Sequence, residues 1–281
     1  VRPADPFARG AGELPLAFGV SGPLGTPLVG ESAVTGRVGQ AFSAGIRWFD
    51  TAPAYGAGLA ERRLGRALSG LKGAKVSTKV GVSASGLAKR MRDFSPDGVE
   101  RSLDASLGRL DRSAVDLLWL HGPSPLELTE ELLMRLDRIM ADGRIHALGA
   151  ATRSEGLAGL LERFGFDAIM LPCHAGLDAE GKAAIAQAQA VGAVMFGIEA
   201  LTPARLSTSP LSGRGGLWRS LKRLRGGSIA TGEPLTVEAS LHWALRAVGP
   251  GFVSTTTTKP AHLAETVQIT QAWLASMPER G

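Results

Sequence analysis

Cysteine is almost absent: Cys173 stands alone in 281 residues. A single thiol excludes an intramolecular disulfide framework and suits a reducing compartment. Tyrosine is as scarce, with Tyr55 the only one, and aromatic residues make up 5% of the chain. No apolar run approaches the roughly 20 residues that a membrane-spanning helix needs. The opening stretch VRPADPFARGAGELP carries no hydrophobic signal core. Together these features set the expectation of a cytoplasmic protein that does not bind membranes. The five histidines and one cysteine fall into neither H-E-x-x-H nor paired-cysteine spacing, so no metal site is expected. A G-x-S-x-G elbow and a Walker A sequence are also missing, which argues against an α/β-hydrolase and a P-loop enzyme.

Acidic residues are absent from residues 200–232, which hold Arg205, Arg214, Arg219, Lys222, Arg223 and Arg225. Those six cations exceed the whole net charge of +5, so the basicity is one local segment on a near-neutral body. Trp218 alone among them does not make the aromatic and basic surface of a nucleic-acid binder. A basic loop near a phosphate-bearing small molecule suits the pattern, and no nucleic-acid partner is expected.

What the chain does have is a repeating alternation. Apolar runs occur at 14–20, 46–50, 75–80, 116–121, 145–150, 167–171, 193–198 and 251–255. Helix-period segments lie between them. Ser95-Pro96 precedes Val99, Leu103, Leu107 and Leu110 on one face; Thr129 precedes Leu132, Leu136 and Ile139, with Gly143 as the stop. Thr236 starts another segment with Leu241, Leu245 and Val248, ending at Gly249-Pro250. Such alternation implies parallel strands joined by right-handed crossovers. Eight units without a linker predict a single-domain (β/α)8 TIM barrel spanning residues 1–281. An open doubly wound sheet would bring a glycine-rich G-x-G-x-x-G turn after the first strand, and GVSGPLG lacks that spacing.

In such barrels chemistry gathers at the C-terminal ends of the strands. The last residues of the second, third and fourth predicted strands are Asp50, the near-terminal Lys79, and His121. The loop after the second strand adds Tyr55. Each alone has a plainer reading as a turn cap, a solvated strand end, a loop histidine or a lid. Their convergence on one rim favours chemistry. A phenol is a poor proton donor at neutral pH, and an adjacent ammonium stabilises its phenolate. The expectation is therefore a Tyr55 phenol titrating below its ordinary value of about 10. A carboxylate behind the lysine would hold it charged, and a histidine beside the phenol would orient a carbonyl oxygen. Such a site protonates an oxyanion as hydride reaches a carbonyl carbon.

FDTAPAYG followed by ERRLGRAL, STKVG, and LLWLHGP resemble the tetrad motifs of the aldo-keto reductases, and the likeness runs from the first strand to the last helix. The resemblance implies NAD(P)(H) bound along the barrel mouth, without a Rossmann fold or a metal. It also implies Tyr55 as general acid/base, Lys79 and Asp50 as its tuning pair, and His121 as orienting or proton-relay partner. VSTTTTKPAHLAETV, residues 253–267, is similar to the family's adenosine-phosphate motif. Physically it places hydroxyls beside the N-terminus of a helix, where free N–H groups attract phosphate. On this basis Val20, Thr152, Gly197, Ile198, Arg205, Thr255, Thr256, Thr257, His262 and Glu265 are the candidate cofactor contacts. Departures are Thr256 and His262, where NADP-preferring members often carry lysine and arginine, with Lys259 nearby. Ala151-Thr152 and Met170 stand where a Ser-Asn pair and a glutamine usually hold the nicotinamide carboxamide, and His174 is a substitute donor.

The resemblance implies an oxidoreductase that interconverts a carbonyl and an alcohol on a small-molecule carbonyl or sugar substrate, using NADP(H) or NAD(H). A finer likeness, in YGAGLAERRLG and DFSPDGVERSLDASLGRL, is to the branch containing sugar and pyridoxal dehydrogenases. An aldose dehydrogenase is therefore one alternative. A catalytically weak, cofactor-binding regulatory module is another, favoured by Ala151 and Met170. A third uses the basic segment on an acidic partner.

Overall fold

Strands buried on both faces read as continuous apolar runs, and that is how these runs fold. The computed structural model describes residues 5–85, 89–204 and 234–277. Its barrel strands are β1 (Leu16–Gly19), β2 (Trp48–Asp50), β3 (Lys75–Val80), β6 (Leu117–His121), β7 (Leu148–Ala151), β8 (Ala168–Pro172), β9 (Val194–Ile198) and β10 (Phe252–Thr255). They close in the order β1-β10-β9-β8-β7-β6-β3-β2. Every neighbouring pair is parallel, and Phe18 opposite Thr255 shuts the ring. The (β/α)8 barrel predicted from the alternation is the fold observed. The fifth strand is shorter than its apolar run, since Ile145 makes only an isolated bridge to Val115.

The crossover helices are α1 (Glu31–Ser43), α2 (Leu59–Leu68), α3 (Pro96–Leu110), α4 (Glu130–Ala141), α5 (Leu157–Leu161), α6 (Ala179–Ala190), α7 (Val237–Val248) and α8 (Pro260–Ala275). Their starts follow the capping chemistry. The hydroxyls of Ser95, Thr129 and Thr236 accept hydrogen bonds from the backbone N–H groups of Gly98, Leu132 and Ala239. The apolar faces read from periodicity, including Val99, Leu103, Leu136, Leu241 and Leu245, are all buried.

Period-two alternation divides the strand side chains into two cores. Leu16, Phe18, Phe49, Leu118, Leu120, Ile169 and Leu171 face outward and pack under the helices. Ala17, Trp48, Leu117, Trp119, Ala168, Met170, Phe196 and Phe252 fill the barrel interior. The inner layer is aromatic: Phe196 lies edge-on to Trp48 and Trp119, with centroids 5.3 and 5.1 Å away. Phe7 stacks on Trp48 at 5.7 Å, while Lys75 at the opposite end from the strand C-termini donates to the carbonyls of Pro6 and Ala8. The segment before β1 therefore plugs the barrel's lower end.

One element was not foreseen. Directly after β3 the chain forms an antiparallel hairpin, β4 (Val82–Ser85) with β5 (Lys89–Arg92), standing on the upper rim. Gly81 leads into it at φ +86, and a Cβ there would fall 2.2 Å from the Phe94 ring. The basic segment 205–233, with Arg205, lies outside the described residues.

Candidate active site

The alternation that sends Trp48, Ser77 and Trp119 into the barrel also sends the residues two places on inward. Asp50, Lys79 and His121 thus crown the aromatic layer at the C-terminal ends of β2, β3 and β6. Asp50 and Lys79 are buried, with Lys79 only 1% exposed. Removing an ammonium from water costs several kcal/mol, so it must be met by matched partners. The Lys79 Nζ donates to both Asp50 oxygens, at 2.6 and 2.5 Å, and to the Thr51 carbonyl at 3.0 Å. Ser77, one inward position below Lys79, donates its hydroxyl to Asp50 Oδ1 at 2.7 Å. Ser77 and Thr51 went unnoticed in the sequence, although Ser77 shares the inward register of Lys79.

Tyr55 is placed by a compact loop between β2 and α2. Its N–H donates to the Ala52 carbonyl, and Gly58 N–H donates to Pro53. Gly56, Ala57 and Gly58 all have positive φ. At Gly56 a Cβ would lie 1.7 Å from the Gly25 carbonyl oxygen, so the loop packs on the short 3-10 turn Gly22–Gly25 only because glycine follows the tyrosine. The half-buried phenol ring ends beside Lys79, whose Nζ is 5.5 Å from its centre, and edge-on to His121 at 6.3 Å. All four predicted catalytic residues therefore meet in one place.

Their electrostatics correct one expectation. Burial pushes the Tyr55 phenol above its ordinary value, and this outweighs the lowering by the Lys79 charge. The lysine does act in the expected direction, but desolvation of the phenolate wins. Burial alone would lower Lys79, yet the Asp50 carboxylate and the phenol beside it raise it overall, so it stays an ammonium. His121 is pulled down to about 3 by burial and by the charges of Lys79, Arg90 and Arg92. At neutral pH the site thus presents a protonated phenol, an ammonium and a neutral imidazole. That set can donate a proton, stabilise the phenolate left behind, and orient an oxygen.

A second layer supports the first. Thr78, facing outward between Ser77 and Lys79, donates to Glu61 on α2 at 2.6 Å, and Arg109 on α3 meets the other Glu61 oxygen at 2.5 Å. Glu61 is fully buried. Arg63 donates to the carbonyls of Leu24 and Thr26, tying α2 to the turn that seats Gly56. Of the charges in ERRLG, Glu61 and Arg63 are thus structural.

The described cofactor candidates are spread along the ends of β1, β10, β9 and β7 and the start of α8. Thr256 lies over Ser21, hydroxyl to hydroxyl at 3.3 Å, and a Cβ at Gly19 would sit 2.5 Å from the Thr256 hydroxyl. The Thr255 hydroxyl is buried with no hydrogen-bond partner among the described residues. Thr257 accepts from the Lys259 N–H, which uses its hydroxyl locally. His262 and Glu265 are exposed on the first turns of α8. This helix starts with Pro260, has no acidic residue in its first turn and no side-chain cap, so its opening N–H groups are available. Val20 is fully buried and bonded to Asp50 and Thr51 through its backbone. The missing side chain of Gly197 faces Cys173 and Val248, which gives that glycine a packing reason on the outer side of β9. Ile198 and Thr152 are half-buried at the ends of β9 and β7. Between these ends a cavity of about 310 Å³ is lined by His174, Arg153, Leu177 and Thr202, among others. His174 is buried and its Nδ1 has no partner among the described residues. Met170 is buried in the barrel interior.

Comparison with known proteins bears on the family and the fold. The model of the aldo/keto reductase family matches residues 17–167, which include all four clustered residues. L-galactose dehydrogenase of Arabidopsis thaliana is 33% identical over 183 residues, covering 58% of this chain and 53% of that protein. D-threo-aldose 1-dehydrogenase of a Pseudomonas species is 33% identical over 156 residues, covering 47% of each. The chain thus spans about half the length of these curated relatives. Among solved structures, an aldo-keto reductase of Bacillus halodurans superposes with a TM-score of 0.73 at 24% identity, covering 94% of this chain and 88% of that one. Glycerol dehydrogenase of Gluconobacter oxydans gives 0.69 at 23% identity, over 95% and 93% of the two chains. These two likenesses speak to the barrel alone. With the family model matching more than half of its length, the chain belongs to the aldo/keto reductase family.

Proposed function

We propose that this protein is a nicotinamide-dependent oxidoreductase that interconverts a carbonyl and an alcohol, with Tyr55 as the general acid/base. The observation that carries the reading is the buried Lys79–Asp50 pair directly beside the Tyr55 ring, with neutral His121 edge-on to the same ring. When bound, the cofactor supplies or takes up the hydride. As negative charge develops on a substrate carbonyl oxygen, Tyr55 passes its hydroxyl proton to that oxygen. The resulting phenolate is stabilised by the Lys79 ammonium, which Asp50 keeps charged and in place. His121 holds the reacting oxygen as a hydrogen-bonding partner without competing as an acid. In the oxidative direction the same groups take the alcohol proton back.

The residues present suit a phosphate-bearing cofactor. Thr256, with Gly19 leaving room beside it, and the uncapped start of α8 would hold phosphate oxygens. Thr152 and His174 would meet the carboxamide, and Met170 offers it no hydrogen bond. Which of NADP(H) and NAD(H) is preferred is set by contacts around Thr256 and His262. The direction of sugar oxidation is a second reading, favoured by the two relatives whose names are sugar dehydrogenases.

The deciding measurement is steady-state turnover with NADPH, NADH, NADP⁺ and NAD⁺ against panels of aldehydes and aldoses, comparing Tyr55→Phe. Loss of one general acid/base should lower kcat by about 10²–10⁴-fold while cofactor binding is kept. Equal turnover by the variant would remove Tyr55 from the mechanism. Cofactor binding without turnover by the wild type would favour a regulatory module.

A further inference from the structure

Among the described residues, Arg90 is a cation at the barrel mouth with no part in the acid–base cluster. Arg92 on β5 donates to the Gly122 carbonyl at 2.9 Å and to Glu127 at 2.6 Å, and its guanidinium covers the Phe94 ring at 5.1 Å. These contacts bend the hairpin from its root at β3 towards the loop that follows His121. Arg90 lies two residues before Arg92 and therefore projects from the same face of the ribbon, the one turned to that loop. Its register partner is Ala84, too small to cover it. Arg90 is exposed and makes no ion pair among the described residues. The nearby acids are taken: Asp93 by Ser95 and Arg101, Glu127 by Arg92 and Ser124. Its position is also close enough for its charge to act on both Tyr55 and His121.

In the ring, β3 and β6 stand opposite β9 and β10. The threonines and helix start suited to a cofactor phosphate are thus across the barrel from Arg90, which faces the side left for substrate. We propose that Arg90 is a specificity-determining residue that anchors an oxyanion of the substrate, a carboxylate or a phosphate, on the far side of the reacting carbon from the cofactor. This rests on the oxidoreductase reading and narrows it to small aldehydes or sugars that carry an acidic group. A guanidinium suits the task because its planar fork binds either oxyanion through two parallel hydrogen bonds.

The test pairs charged and neutral probes: succinic semialdehyde against butanal, and glyceraldehyde 3-phosphate against glyceraldehyde. Wild type should prefer one charged member of a pair, and the pair that responds identifies carboxylate or phosphate. Arg90→Gln should reduce kcat/KM for that probe on the order of tenfold or more, mainly through KM, as expected for a lost charge-assisted hydrogen bond. The neutral probes should lose clearly less, since they feel only the charge removed from beside Tyr55 and His121, and Arg90→Lys, which keeps that charge, should restore part of the loss. Arg92→Gln, which loosens the hairpin itself, should impair charged and neutral probes alike. Calorimetric titration with succinate and inorganic phosphate, against neutral butanamide, reads the same preference without turnover. Arg90-dependent anion binding in a protein that turns nothing over would sink the oxidoreductase reading and leave the anion site standing. Equal losses for charged and neutral probes in Arg90→Gln, or no preference for either anion in wild type, would overturn the proposal.

Discussion

The Tyr55 phenol sits where two effects oppose each other, an ammonium that favours phenolate and burial that disfavours it. Burial prevails, so the resting group keeps its proton, the state a general acid needs. Because no other tyrosine exists, the phenolate absorbance of the whole protein reports this residue alone. We expect it to titrate above the ordinary value of about 10, and higher still in Lys79→Met, which removes the lowering charge. An apparent pKa at or below that value in wild type would mean that burial does not dominate. The positions of Asp50, Lys79 and His121 were legible in the sequence because each stands at or one residue before a strand end, on the inward register. The direction of the Tyr55 shift was not legible. It depends on how much water the folded rim excludes, and a spacing motif is silent about that. Ser77 was missed because a small hydroxyl within a strand carries no pattern of its own, and Thr51 because it meets Lys79 through its backbone carbonyl, which no side-chain pattern reveals.

Helix α2 connects the layers. Its fully buried Glu61 joins Thr78 on β3 to Arg109 on α3, immediately behind Lys79. Removing one partner of such a pair leaves the other uncompensated. Glu61→Ala should therefore cost about 3 kcal/mol, measured by denaturant unfolding, and a loss below about 1 kcal/mol would mean that the network is idle. Other elements were readable for local reasons. The caps at Ser95, Thr129 and Thr236 act within one helical turn, so sequence alone places them. The β4–β5 hairpin escaped notice because the alternation in GVSASGLAKRMR is limited to Val82 and Ala84 opposite a basic strand, and its ladder is held by backbone pairing and by Arg92 reaching a distant loop. The cofactor rim was only partly readable. Thr256 and the start of α8 lie together as expected, but Gly197 answers to packing against Cys173 and Val248, a contact between distant segments.

At the scale of the whole molecule the barrel rests on its aromatic interior. Phe7 reaches up from the segment before β1 to stack on Trp48, which in turn lies directly beneath Asp50. Truncating this half-buried ring should cost about 2 kcal/mol, less than a fully buried phenylalanine. For a protein of this size Phe7→Ala should lower Tm by roughly 5 °C, followed by calorimetry. An unchanged Tm would show that the plug fills space without holding the strands.

The circular order of the strands also has a consequence for biosynthesis. Asp50, Tyr55, Lys79 and His121 leave the ribosome together in the earlier part of the chain, whereas β1 waits for β10 to arrive before its outer edge is paired. Until then a nascent sheet exposes the β1 backbone as a template for stray strands, the interval in which a holding chaperone matters most. The same late event brings Thr256 against Ser21, so the cluster around Tyr55 is synthesised early and the contact that joins the first and last strands forms last.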